Sequence, residues 1–481
     1  MNESGSVGKS PRRKDGVAKV LGTALYVDDL DCPGAWFGTA VRRPVASARI
    51  VAIDISEATK DPDVVVLTAK DLPGPNVIKL IEEDWPILAD DSVHHPYEAI
   101  ALVAAPTLAR AQKAAEAVQV EFAENPSIQT IADALAGDPR TGGELNILAQ
   151  CAIDSGDLES GFEAADHIVE GTYECGHQEH IYIEPNGMIA TPLPDGGVDI
   201  VGSLQCPYYV HKSLSYLLGF DDDKVVIRQA ATGGGFGGKE DFPDMIAAHA
   251  ALLALRVGKS VKIIYDRHED IISTTKRHPG RIVHRTGVKS DGTLVAMDVD
   301  IVFDGGAYVT LSPVVLSRAV LHGAGAYSCP NVRIRGRVLA TNTPPNGAFR
   351  GFGAPQSIFA VERHLDRVAR VVGLDPLSFR ELNAYRVGDT TPTGQLLSES
   401  VSALECLEEA ATRSDFKRKW LEYEASRESR NDDGQPWKGI GLSLFWHGSG
   451  FTGNGERVMK ARAATRLAPG GRVEVLAGST D

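Results

Sequence analysis

The sequence predicts an α+β fold, a small mixed α/β domain followed by a larger α+β region. Three observations predict it. With 49 glycines and 26 prolines in 481 residues, the chain must turn often. Short strand and helix patterns alternate from Val17 to about Phe122. Further on, two glycine-centred loops each lead into a helical pattern. A hydrophobic content of 43% against 23% charged residues suits a soluble chain with a sizeable core.

In chain order, residues 1–15 read as a polar tail and 16–125 as the small domain. Its strand patterns are AWFGTAVRRP, ARIVAIDIS and DVVVLTAKDL, and a helix from Thr107 to Ala117 leads into a strand at VQVEF. Residues 126–155 are punctuated by proline and glycine and read as a connector with one short helix. The larger region, 156–400, opens with a helix and strand in GDLESGFEAADHIVEGTYECG. It continues with a strand at KVVIRQAA (224–231), a helix from Asp244 to Val257, and helices over 357–371 and 375–386. Residues 401–481 begin a further domain that is incomplete. There the charged KRKWLEYEASRESRNDDGQ ends an exposed helix, and strand patterns follow at GIGLSLFWHGS and GRVEVLAGS.

Several function classes fall away. A formal charge of −15 argues against a nucleic-acid or anionic-membrane partner. None of the six cysteines (32, 151, 175, 206, 329 and 406) lies within four residues of another. The chain therefore has no iron–sulfur or structural zinc spacing of its own. The N-terminus has no apolar leader and no window approaches a membrane span, so a cytoplasmic location is expected. No G-x-S-x-G elbow points to a hydrolase.

The stretch GGGFGGKE, 233–240, lies between a strand and a helix, where backbone N–H groups gather around anions. Gly233, Gly235 and Gly238 match G-x-G-x-x-G, with Asp266 near the place of a ribose-binding acid, so a dinucleotide- or flavin-dependent dehydrogenase is one reading. Against it, KEDFP delays the helix and Phe236 stands where backbone must approach a pyrophosphate. Glu240 excludes a Walker A loop, because Ser or Thr must follow its lysine. A structural glycine turn is a second reading, and a non-catalytic assembly role a third. The second loop, AFRGFGAPQ at 348–356, again joins an aromatic, glycines and an arginine, which suits a phosphate-bearing ligand held from two sides. His177, Glu179 and His180 in GHQEH lack H-E-x-x-H spacing and read as structural.

GGGFGGKE and AFRGFGAPQ, in this order, resemble the two pterin-binding loops of the molybdenum hydroxylases, the xanthine dehydrogenase and aldehyde oxidase family. KVLGTALYVDDL resembles that family's opening segment and QEHIYIEPN (178–186) its early core strand, so the likeness runs from about Ala18 onward. The resemblance implies a hammerhead-like first domain, then molybdopterin-binding domains. It implies that Gln205, Gly235, Phe236, Gly237 and Arg350 contact the cofactor, with Gln205, Phe236 and Arg350 nearest the molybdenum. Gln205 is expected to donate a hydrogen bond there. Glu240, Arg318 and Phe352 are the implied substrate residues: an acid at one edge of a flat heterocycle, an arginine opposite and a ring packed on its face. That pair favours a purine over nicotinate or an aldehyde.

The implied reaction is oxidative hydroxylation with oxygen from water. The implied cofactor is molybdenum–molybdopterin, plain or as the cytosine dinucleotide, and electrons leave through Fe–S and FAD subunits. In the family a Met-Gly-Gln-Gly pterin motif follows a strand like RVEVLAGSTD, and the glutamate base lies later still. The resemblance therefore implies a second molybdopterin-subunit chain beginning near that motif, or a truncation. No catalytic base is assigned within these residues.

Overall fold

The computed structural model describes residues 8–138, 142–429, 436–448 and 463–477. Two sheets organise it. A seven-stranded sheet runs in the order Val225–Gln229, Val198–Gly202, Gly187–Pro192, Val261–Ile264, Trp36–Arg42, Ala99–Ala105, Val65–Thr68. A five-stranded sheet runs Ile147–Ser155, Val332–Ala340, Leu294–Gly306, Gly280–Val288, His167–Cys175. The strand Ala48–Asp54 lies between Ser92–Val93 and Gln119–Glu124 in a small third sheet.

The first sheet joins the two halves of the sequence. Trp36 pairs in parallel with Val261, while Phe37–Arg42 pairs antiparallel to Ala99–Ala105. All seven residues of Ala99–Ala105 are buried, as expected for a strand covered on both faces. Leu67, Trp85 and Leu102 from the first half share one core with Leu214, Ile246, Leu253 and Ile263 from the second. No local pattern announces such pairing, because strands far apart in sequence choose each other through shared burial.

At the centre of that core lies the helix Pro243–Val257. Pro243 takes its first position, where an N–H is dispensable, and Gly258 closes it in the left-handed region. Twelve of its fifteen residues are buried, so it is apolar all round instead of striped. On the second sheet, Ile282, Val299, Ile301, Ile334 and Val338 pack with the helices Ser312–Leu321 and Ala354–Val371.

Three stretches differ from the sequence reading. QEHIYIEPN forms no strand: Ile181 has φ 48° and Ile183 is exposed, because the polar side chains here turn inward to hold loops. Ile147–Ser155, at the end of the expected connector, is a strand along Val332–Ala340, joined to the expected short helix Ile131–Leu135. The described part of GIGLSLFWHGS is irregular. There the Leu444 N–H donates to the Glu362 carboxylate, and the Trp446 indole donates to the Gly325 carbonyl. Side-chain partners replace a ladder.

Candidate functional site

One glycine loop follows the first sheet's edge strand Val225–Gln229, and the other follows Val332–Ala340 of the second sheet. They meet back to back. The Arg350 N–H donates to the Phe236 carbonyl at 2.9 Å. Gly237 has φ 100°, and a Cβ there would stand 2.7 Å from the Ala348 carbonyl oxygen. Only glycine fits that junction.

Phe236 (φ 53°) and Phe352 (φ 47°) are two of six non-glycine residues with positive φ among the described residues. Such strain costs on the order of 1–3 kcal/mol each and gathers where geometry serves a ligand. Phe236 is 47% exposed, so about half of its surface is left open beside the loop.

Around this junction opens a cavity of about 810 Å³, lined by Gln205, Gly234, Gly235, Phe236, Gly237, Glu240, Arg350 and Phe352 among others. Every cofactor residue implied by the resemblance thus borders one space, together with Glu240 and Phe352. Arg318 is not in the wall. It sits on Ser312–Leu321 with its guanidinium carbon 5.4 Å from the Phe352 ring centre. That helix is pressed against the loop: a Cβ on Gly353 would lie 2.1 Å from the Val315 carbonyl oxygen.

Gln205 is oriented by the first loop. Its Oε1 accepts from the N–H groups of Gly237 (2.9 Å) and Lys239 (3.3 Å). Two donors on one atom fix the amide's rotation and leave Nε2 as the group free to donate. A cradle for an anionic pterin cofactor needs unpaired donors, and the wall supplies them. The N–H groups of Gly234, Gly235, Phe236 and Gly351 have no partner among the described residues, and Arg350 adds a cation. Consecutive free amides of this kind form an anion nest. The residues present fit the group.

Lys239 does not belong to that nest. Its ammonium is buried and donates to the Glu184 carbonyl (2.7 Å), the Glu184 carboxylate (3.0 Å) and Ser203 Oγ (2.8 Å). Glu184 Oε2 also accepts from the Gly233 N–H at 2.6 Å. The lysine therefore ties the loop to the scaffold. Asp266 caps the helix Arg267–Ser273 by accepting from the Glu269 N–H. The capping role of Asp266 engages the acid that a dinucleotide site would use for the ribose.

Burial and neighbouring Asp241 push the Glu240 carboxyl up to about 8, and Arg318 draws it back only in part. The folded chain keeps a proton that the unfolded chain gives up near the ordinary glutamate value of 4.5, so stability falls as pH rises from there to about 8. Glu240→Gln removes this slope. Melting temperatures of variant and parent should agree near pH 5 and diverge in the variant's favour toward about pH 9. A constant difference across that range would mean the carboxylate is already ionised in the fold.

Some site residues carried no sequence signal. Arg13, Asp15 and Lys19, from the expected tail and the short helix after it, border the same cavity. Glu184, His180 and Arg277 hold the loops from segments far away in sequence. Among the described residues no His/Cys/Asp/Glu group could hold a metal ion directly. His180 instead hydrogen-bonds the Ala348 carbonyl, and Glu179 pairs with Lys276 at 2.7 Å.

A family model described as a molybdopterin cofactor-binding domain matches residues 140–384. One described as the a/b hammerhead domain of aldehyde oxidase and xanthine dehydrogenase matches 21–126. The nicotinate dehydrogenase large molybdopterin subunit of Eubacterium barkeri is 38% identical, over 85% of this chain and 96% of its own length. A probable xanthine dehydrogenase subunit of Bacillus subtilis is 38% identical, over 91% of this chain and 58% of its own. The solved aldehyde oxidoreductase of Desulfovibrio gigas superposes with a TM-score of 0.80 at 33% identity, covering 87% of this chain and 47% of that one. The chain thus spans nearly all of the first relative and about half of the other two.

Proposed function

This chain belongs to the molybdenum hydroxylases, the family of xanthine dehydrogenase and aldehyde oxidase, and from that premise we propose that it builds the cofactor and substrate wall of an enzyme that oxidatively hydroxylates a planar nitrogen heterocycle, a purine first. The observation that carries the reading is the single cavity in which Gln205, Phe236, Gly237 and Arg350 stand beside Glu240 and Phe352.

Gln205 Nε2, Arg350 and the free amides of 234–236 would hold the molybdenum–pterin cofactor. When bound, it supplies the two-electron oxidation that places a water-derived oxygen on the substrate carbon. The rest is done by this chain's side chains. Glu240, kept protonated near neutral pH by its surroundings, offers both an O–H donor and a carbonyl acceptor to a heterocycle's N and C=O edge. Phe352 presents a ring for offset packing. Arg318, beside that ring though outside the cavity wall, would add positive charge on the side where negative charge develops on a ring oxygen. Fe–S and flavin subunits carry the electrons away. A further molybdopterin-subunit chain would complete the cavity and bring the base. No helix among the described residues is long and apolar enough to cross a membrane.

A nicotinate-type substrate is the second reading, favoured by the relative matched over 96% of its length. There Arg318 would meet the substrate carboxylate. Turnover of purines, nicotinate and an aromatic aldehyde by the purified complex, with an artificial electron acceptor, separates the cases. A purine is expected to be preferred, and Glu240→Ala to lower its kcat/KM about a hundredfold, because a buried polar edge loses its partner. Preferred aldehyde turnover that ignores Glu240 would overturn the heterocycle assignment.

A further inference from the structure

The second loop is held from behind by two side chains, one on either side of Phe349. His180 Nε2 hydrogen-bonds the Ala348 carbonyl at 2.8 Å in a buried contact. Arg277 Nη2 donates to the Arg350 carbonyl at 3.1 Å. Both side chains touch the aromatic between those carbonyls. The His180 ring stacks on Phe349 with centres 4.2 Å apart and planes 22° apart, and the Arg277 guanidinium carbon lies 3.8 Å from the Phe349 ring centre.

The clamp is itself anchored. Arg277 Nε donates to Gln178 Oε1 at 2.6 Å and Nη1 to Gln356 Oε1 at 3.3 Å. His180 also reaches the first loop, since a Cβ on Gly238 would stand 2.7 Å from its Nδ1. Because Ala348 offers a carbonyl, a His180 proton must sit on Nε2, while Nδ1 is buried 3.8 Å from the Glu179 carboxylate and makes no hydrogen bond. An unsatisfied buried nitrogen is a cost of about 1–3 kcal/mol that a phenylalanine packed on Phe349 would not carry. Selection for packing alone does not explain a histidine there.

The two bonds have an electrostatic consequence. The carbonyls of Ala348 and Arg350 are engaged by buried donors, and the Phe236 carbonyl is engaged by the Arg350 N–H. Along the facing stretches the N–H groups at 234, 235, 236 and 351 have no partner among the described residues, while of the carbonyls from 233 to 237 only that of Gly234 is left without a donor. We propose that His180 and Arg277 are positioning residues for the anionic cofactor: they draw the loop's carbonyl oxygens away from the cavity, so that its wall presents N–H groups and the Arg350 side chain. The inference rests on the molybdopterin reading of the cavity and adds to it the residues that give the wall its sign.

Four full-length variants in the purified complex test it: His180→Phe, His180→Gln, Arg277→Met and Arg277→Lys. Two quantities are measured, molybdenum and pterin content, and amide hydrogen exchange of the peptide covering 346–353 in cofactor-free protein. His180→Phe keeps the stacking and loses the donor, and Arg277→Met loses the fork. Both are expected to exchange about tenfold faster in that peptide, as for one lost hydrogen bond. Both should lose most of their molybdenum, while exchange in the Pro243–Val257 helix stays at the parent rate. Glutamine at 180 should restore loading in part, and lysine at 277 should restore it less, having one point donor in place of a planar fork. Parent-like exchange and loading in His180→Phe would overturn the proposal, and so would faster exchange spread evenly over the helix. A parent complex without molybdenum would overturn the cofactor reading instead, with the exchange measurement still deciding whether the clamp sets the loop.

Discussion

Gly237→Val is expected to abolish molybdenum loading and to cost about 2 kcal/mol of stability, because a β-branched residue is forced into the left-handed region. The backbone at 237 has φ 100°, and its would-be Cβ faces the Ala348 carbonyl oxygen (2.7 Å), the Ala348 carbonyl carbon (2.8 Å) and the Phe349 Cα (2.9 Å). All three are backbone atoms, so no side chain can swing aside. The two loops must part, and the Arg350-to-Phe236 hydrogen bond goes with them. Gly258→Ala is the control. It has φ 69° with nothing within 4 Å of the added Cβ. It should cost about 1 kcal/mol and leave loading intact. Metal analysis with thermal melting of both variants checks this, and normal loading of Gly237→Val would show that the loops bind nothing jointly.

Lys239→Met should destabilise the chain by about 3–5 kcal/mol, the usual result of removing one partner of a buried ion pair. The Lys239 side chain is fully buried, and the Glu184 carboxylate beside it also accepts from Ser203 and Gly233. Without the ammonium that mostly buried carboxylate keeps only the neutral donors Ser203, Gly233 and Val27. The two roles for a lysine at the end of a glycine-rich loop predict opposite patterns. A phosphate-binding lysine is exposed in the free protein, and its loss lowers ligand affinity with little effect on melting. A scaffold lysine lowers the melting temperature with or without ligand. Denaturant unfolding of cofactor-free parent and variant decides between them, and unchanged stability would return Lys239 to the ligand.

How far the site could be read from sequence depends on the distance over which each residue acts. Phe236, Gly237 and Glu240 lie within one loop whose glycines, aromatic and charges are visible together, and Pro243 and Gly258 mark the ends of the helix behind it. Those features are local, so their residue types carry the signal. Arg350 and Phe352 became legible only because a second loop of similar make-up recurs further along, and the structure brings the two loops together.

Glu184, His180 and Arg277 act across sequence separations of 55, 168 and 73 residues in their bonds to Lys239, Ala348 and Arg350. No propensity or spacing encodes such contacts. The segment 178–186, which carries His180 and Glu184, alternates like a strand, yet these two side chains turn inward to the loops instead of outward to solvent. The pairing of Trp36–Arg42 with Val261–Ile264 escaped for the same reason, as did the strand at Ile147–Ser155.

The central claim, that the paired loops are half of a molybdopterin cradle, is tested most directly by the molybdenum and pterin content of the purified complex containing this chain. Stoichiometric molybdenum with an extractable pterin, both lost in Gly237→Val, is the predicted result. Tight binding of NAD(P) or a flavin by this chain, with no molybdenum in the complex, would contradict it.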